Sequence, residues 1–85
     1  MNITLRFFAS VREQLGTSQE SVVLPAQTNT VGAVRACLVA RGGVWASALG
    51  PDKPLRMAFN HGMCGPDTAI ADGGEVAFFP PVTGG

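Results

Sequence analysis

Over residues 3–9 apolar and polar side chains alternate, with Ile3, Leu5 and Phe7 on one face and Thr4, Arg6 and Phe8 on the other. A period of two predicts a half-buried strand. Ser10 followed three residues later by Glu13 has the spacing of a capping box, and Gly16 supplies a left-handed stop; together they predict a short helix over residues 11–15. Residues 21–24 are β-branched and apolar and read as a second strand that ends at Pro25. Over residues 31–41 the period changes. Val31, Val34 and Leu38 recur at helical spacing, Ala33, Cys37 and Val39 widen the stripe, Thr30 is placed to cap the start and Gly42-Gly43 to close the end. This is the main helix.

Residues 45–49 suit one further helical turn, and Gly50-Pro51 with Pro54 mark a loop. Residues 55–59 read as a strand, Asn60-His61-Gly62 as a tight turn, and Met63-Cys64 as a short return strand broken by Gly65-Pro66. After a turn at Asp72-Gly73-Gly74, residues 75–79 form the last strand, with Val76 and Phe78 on one face and Glu75, Ala77 and Phe79 on the other. The order strand, strand, helix, strand, strand predicts an α+β fold of the β-grasp kind, a mixed sheet with one main helix across a face.

Eighty-five residues support one core, so residues 1–81 are expected to form a single domain and residues 82–85 a flexible tail. The chain is 46% hydrophobic and 14% charged, which favours a packed core over disorder. Six basic residues balance six acidic ones, removing the electrostatic signature of a nucleic-acid binder or a polybasic membrane surface. Two cysteines, Cys37 and Cys64, allow at most one disulfide and are expected as reduced thiols. The first residues lack a basic n-region and a long apolar stretch, and no run approaches membrane-spanning length. The expectation is a soluble, cytoplasmic chain with neither nucleic-acid nor membrane partner.

Internal catalytic constellations fail one by one. Gly42-Gly43 is followed by Val44 and Trp45 rather than the Lys-Ser/Thr of a phosphate-binding loop. His61, Cys37 and Cys64 are too few for a closed zinc site, so no metal is expected. A Ser-His-Asp triad would have to use His61, and no serine sits in a Gly-x-Ser-x-Gly elbow; His61 reads as a polar turn residue. The carboxylates lie scattered at turns and strand ends, where capping and solvation explain them.

What remains is the C-terminus. Pro80 and Pro81 stop further strand pairing and favour an extended path, and Val82, Thr83, Gly84 and Gly85 carry no large side chain. At about 3.3–3.6 Å per residue, the stretch from Pro80 onward spans roughly 20 Å, enough to enter a deep pocket. An α-carboxylate is ionised at neutral pH and can attack the α-phosphate of ATP; a sulfur nucleophile can then displace AMP from the acyl-adenylate. Taken alone, a bare Gly-Gly end reads better as an inert fray. Phe8 and Phe79 tip the balance: strand parity points both away from the helix-covered core, as an apolar patch beside the tail exit, with Met63 a third candidate. Their packing against each other or under a loop is the competing reading.

Phe7-Phe8-Ala9-Ser10-Val11-Arg12-Glu13, Asp72-Gly73-Gly74-Glu75-Val76 and the terminal octet Phe78-Phe79-Pro80-Pro81-Val82-Thr83-Gly84-Gly85 resemble the small subunits of molybdopterin synthases, sulfur carriers of the ubiquitin-like MoaD/ThiS family. The resemblance covers essentially the whole chain, although residues 27–54 match only in general pattern and residues 60–64 depart from it. It implies a β-grasp carrier without catalytic activity of its own, adenylated at Gly85 by a ubiquitin-activating-type adenylyltransferase that uses ATP, then thiocarboxylated from a sulfur-donor protein. The carrier itself would bind no cofactor. Two such carriers would join a dimer of the large subunit in a heterotetramer, contacting it through Phe8, Met63, Phe79, Pro80 and Pro81. The Val82-Thr83-Gly84-Gly85 tail would carry sulfur to cyclic pyranopterin monophosphate for molybdenum cofactor. Sulfur carriage for thiamine thiazole and ubiquitin-like protein modification are the alternatives.

Overall fold

A computed structural model describes residues 1–81 of the chain. In chain order the elements are β1 (Asn2–Phe7), α1 (Ala9–Leu15), β2 (Gln19–Val23), α2 (Val31–Val39), α3 (Gly43–Leu49), β3 (Arg56–Phe59), β4 (Gly62–Cys64) and β5 (Glu75–Phe79). The strands form one sheet in the order β2-β1-β5-β3-β4. The central pair β1 and β5 is parallel, with Leu5 opposite Val76 and Phe7 opposite Phe78, and the other three pairings are antiparallel. A mixed sheet with a parallel central pair and α2 across one face is the expected β-grasp arrangement.

The period-two face of β1 enters the core as expected. Ile3, Leu5 and Phe7 are buried, as are Val76 and Phe78 of β5, and they pack with Val31, Val34 and Leu38 of α2 and with Ala48 and Leu49 of α3. Phe7 stacks on Phe78 with ring centroids 6.4 Å apart and meets Trp45 edge-on at 5.7 Å.

The start of α2 satisfies its orphan N–H groups completely. Thr30 Oγ1 accepts from the Ala33 N–H at 3.1 Å, the expected cap. The Val31 and Gly32 N–H groups donate to the carbonyls of Thr68 and Pro66. Glycine at 32 leaves room for that approach, since a Cβ there would crowd the Pro66 carbonyl oxygen at 3.0 Å.

Several expectations are corrected. Ser10 does not cap α1; the N-cap is Phe8, with no side-chain hydrogen bond, and Ser10 lies within the first turn. β1 ends at Phe7, not residue 9, because Ala9 takes a left-handed φ of 52° that breaks the extended path. α2 stops at Val39 with Ala40 as C-cap, and Gly42-Gly43 instead turns the chain into α3 with φ of 75° and 55°. α3 is a seven-residue helix rather than one turn, so three helices appear among the described residues. Its C-terminal end is held by Arg35, whose guanidinium donates to the carbonyls of Leu49, Gly50 and Lys53. A cation at a helix C-terminus is favourable. Burial lowers the Arg35 pKa, and the nearby Asp52 carboxylate opposes that shift.

Candidate docking face and tail exit

The helices cover one face of the sheet and leave the other open. Register assigns the open rows: Met63, Ala58, Ala77 and Arg6 lie side by side across β4, β3, β5 and β1, and Arg56 of β3 stands opposite Phe79 of β5. Ala58 and Ala77 are buried although they lie on the open side, since their methyl groups sit in the shadow of longer neighbours. Around these two small residues Phe8 is 41% exposed and Met63 62% exposed.

Phe8 follows β1 directly and takes extended dihedrals, φ −130° and ψ 156°, before Ala9 turns the chain into α1. This places its ring edge-on to Phe79, with centroids 6.2 Å apart and planes at 84°. The two rings therefore pack together, as the competing reading held, and Phe8 also remains exposed, as parity predicted. The Arg6 guanidinium lies 5.4 Å above the Phe8 ring centroid, a cation–π distance. Arg6 also approaches Glu75 at 3.8 Å, while His61 Nδ1 lies 3.6 Å from the other Glu75 oxygen.

Met63 reaches this face because β4 exists. The chain turns from β3 to β4 in two residues, Asn60 and His61, both left-handed with φ of 49° and 70°. That is the turn whose twist suits a two-residue hairpin. His61 is accordingly a turn residue with a largely exposed side chain. Its neighbour Asn60 accepts from the Glu75 N–H at 2.9 Å and ties the turn to β5.

Pro80 and Pro81 continue from β5, half-buried, along a groove of about 200 Å³ walled by Val11, Gln14, Ala48 and Leu55. They end β5 next to the Phe8–Phe79 contact. Val82, Thr83, Gly84 and Gly85 lie outside the described residues. The structure thus brings Phe8, Phe79, Pro80 and Pro81 to one end of the open face and places Met63 two strands from Phe79.

Strand parity puts Arg6 with Phe8 and Ala77 with Phe79 on this face, whereas sequence reasoning missed Arg56 and Ala58 as its members. Ala58 was accessible by parity, since it follows the buried Met57. The Arg56–Phe79 neighbourhood required the pairing of β3 with β5. Cys37 and Cys64 are free and half-buried; Cys37 Sγ lies 3.6 Å from Thr28 Oγ1. Among the described residues no group of three His, Cys, Asp or Glu is arranged to hold a metal ion, and no helix is long and apolar enough to cross a membrane.

The open face presents Phe8 and Met63 as exposed large apolar side chains, with Phe8 against Phe79 at the end of β5. Comparison with known proteins supplies the context. The model of the ThiS family matches residues 5–85. The chain belongs to that family. It is 46% identical over 83 residues to the molybdopterin synthase sulfur carrier subunit of Escherichia coli, covering 98% of this chain and 99% of the relative. The equivalent Haemophilus influenzae subunit is 40% identical over the same shares. Among solved structures, SAMP1 of Haloferax volcanii superposes with a TM-score of 0.79 at 26% identity, each chain wholly covered. In the complex of subunits 1 and 2 of the Helicobacter pylori molybdopterin-converting factor, the matching chain has a TM-score of 0.68 at 23% identity, again with full coverage of both. That likeness concerns the fold. Family, relatives and superpositions agree with a ubiquitin-like β-grasp carrier.

Proposed function

We propose that this chain is the sulfur-carrier small subunit of a molybdopterin synthase, with the C-terminal carboxylate of Gly85 as the group that is activated and loaded. The observation that carries the reading is the exposed Phe8–Phe79 contact on the strand that ends in Pro80-Pro81, four residues before Gly85. Near-full-length identity to two molybdopterin synthase sulfur carrier subunits supports it.

The chemistry divides between the chain and its partners. On a ubiquitin-activating-type adenylyltransferase the Gly85 carboxylate oxygen attacks the α-phosphorus of ATP and pyrophosphate leaves. The outer sulfur of a persulfide on a donor protein then attacks the acyl carbon and AMP leaves; a second thiol attacks the donor-side sulfur of the resulting acyl disulfide, forming a disulfide with the donor and releasing the thiocarboxylate. Phe8, Met63 and Phe79 dock the carrier on the large subunit, one carrier on each half of a two-plus-two heterotetramer. The slim Val82-Thr83-Gly84-Gly85 segment passes into the large subunit's active site, where the sulfur goes to cyclic pyranopterin monophosphate. Glycine suits the last two positions because a chain without Cβ atoms threads a narrow channel and lets the backbone approach a ligand closely. The chain supplies the sulfur-bearing group and the docking face, and the partners supply nucleotide and substrate sites.

Intact-protein mass spectrometry after incubation with ATP, the activating enzyme and a sulfur donor tests the proposal. The expected result is a mass gain equal to one oxygen replaced by sulfur, lost when Gly85 is deleted; an unchanged mass with a competent activating system sinks it. Ubiquitin-like modification draws support from the superposition on SAMP1, a small archaeal modifier protein. It would appear in the same spectra as an isopeptide bond from Gly85 to lysine. Rescue of thiamine synthesis but not molybdopterin synthesis in mutant strains would instead assign the sulfur to thiazole.

A further inference from the structure

The net charge is zero, but the basic side chains are not equally engaged. Arg35 is consumed by three carbonyls at the end of α3, and Arg41 by both oxygens of Glu20. Arg56 of β3 stands opposite Phe79, and Arg6 of β1 stands opposite Ala77 with its guanidinium over the Phe8 ring, so the two arginines border the Phe8–Phe79 pair on the open face. Arg56 is exposed and has no ion pair among the described residues. Asp72 lies at the far end of the sheet, where it accepts from the Asn2 N–H at the start of β1.

Arg6 is only loosely neutralised. Its one carboxylate neighbour among the described residues, Glu75, is 3.8 Å away and is shared with His61. Its Nε is buried with no hydrogen-bond partner among the described residues. Buried donors are almost always paired, and an unpaired one gains from any acceptor brought to it. The Phe8 ring beneath the guanidinium holds it on the docking face. A planar guanidinium matches a carboxylate through two parallel bonds, and the Arg6 side chain keeps 35% of its surface accessible.

We propose that Arg6 and Arg56 are specificity-determining residues of the docking face, taking carboxylates that the large subunit presents around its contact with the Phe8–Phe79 pair. This rests on the docking reading above, and it adds that the partner's contact surface is acidic around its apolar centre. Arg6 forms the desolvated pair, and Arg56, at the rim, steers the encounter.

The test is binding kinetics between this chain and the molybdopterin synthase large subunit of the same organism, measured by surface plasmon resonance over a salt series. Charges at a rim act mainly on association and its salt dependence, whereas a buried charge pair acts on dissociation. Arg56→Gln is expected to slow association about threefold and flatten its salt dependence. Arg6→Leu is expected to speed dissociation about tenfold or more, and Arg6→Lys to recover association but not residence time. Phe79→Ala should speed dissociation and leave the salt dependence unchanged. If both arginine variants bind as the unsubstituted chain does while Phe79→Ala weakens the complex, the proposal is overturned and docking stands. If the unsubstituted chain fails to bind, both readings fall. Arg56 is exposed, so its variant reports even if an Arg6 substitution disturbs the fold.

Discussion

Phe78 is fully buried between Phe7 and α2, whereas Phe8 keeps 41% of its surface exposed on the opposite side of the sheet. The same substitution therefore has opposite consequences at the two sites. Phe78→Ala removes a core ring and leaves a cavity, at a cost of about 3–5 kcal/mol. Against a total stability of roughly 5–15 kcal/mol, much of the folded margin disappears. Phe8→Ala gives up an edge-to-face contact and a partly solvated surface, a loss of about 1 kcal/mol. Thermal melts should show the first protein melting tens of degrees lower and the second only a few degrees lower. Titration calorimetry against the large subunit should invert the order of importance for Phe8, with affinity falling by about 2 kcal/mol, roughly thirtyfold, as for a central aromatic anchor. A Phe8 variant that binds normally would remove this side chain from the docking face.

At the scale of elements, the hairpin between β3 and β4 contains a testable misfit. Its two-residue turn needs positive φ at both positions; asparagine tolerates this, but histidine at φ 70° carries a Cβ that crowds the backbone. His61→Gly is expected to stabilise the fold by about 0.5–1 kcal/mol, because relief of that strain exceeds the extra freedom glycine has when unfolded. The lost contact with Glu75 subtracts little, since the imidazole is mostly solvated. Chemical denaturation at neutral pH measures the difference, and a less stable variant would show that the His61–Glu75 contact matters more than the turn. The hairpin also shows what the chain discloses locally. The Asn60-His61-Gly62 turn, the Thr30 cap and the α2 stripe were legible because each depends on residues within a few positions. The start of α1 was not: Ser10 and Glu13 have capping-box spacing, but Phe8 is fixed by Phe79, 71 positions away, and the helix begins from it. The part of α3 that was hidden is its start, Gly43 and Val44, because Gly42-Gly43 reads as the stop of α2 rather than as the turn that opens α3. Parity revealed which way Phe8 and Phe79 point, but the place of Arg6 and Arg56 around the Phe8–Phe79 pair follows from strand order, which no short window contains.

Across the whole molecule, β2 is an edge strand and one side-chain pair ties it to the end of α2. Glu20 accepts from two Arg41 nitrogens, and the Arg41 guanidinium lies 4.4 Å above the Trp45 ring, so one arginine joins β2, the α2–α3 connection and α3. The hydrogen bonds from Arg41 hold the Glu20 pKa below its ordinary value, while partial burial works weakly against them. A carboxylate with a depressed folded pKa contributes stability that is fully present above its unfolded value, about 4.3, and is lost as pH falls through the lower folded value. Both side chains are about one-third exposed, which restricts the contribution to about 0.5–1 kcal/mol. Glu20→Gln should therefore lower the melting temperature by about 2–8 °C at pH 7, and the gap should be smaller at pH 3, below the unfolded value, as the stabilisation is lost. Scanning calorimetry at both pH values decides the matter: a gap that persists undiminished at pH 3 would mean that Glu20 acts through packing rather than charge. High salt at pH 7 should shrink the gap only partly, because the bidentate geometry survives screening better than a distant charge pair does. The Arg41–Trp45 stack is present in both proteins, so the comparison isolates the bond between β2 and α2.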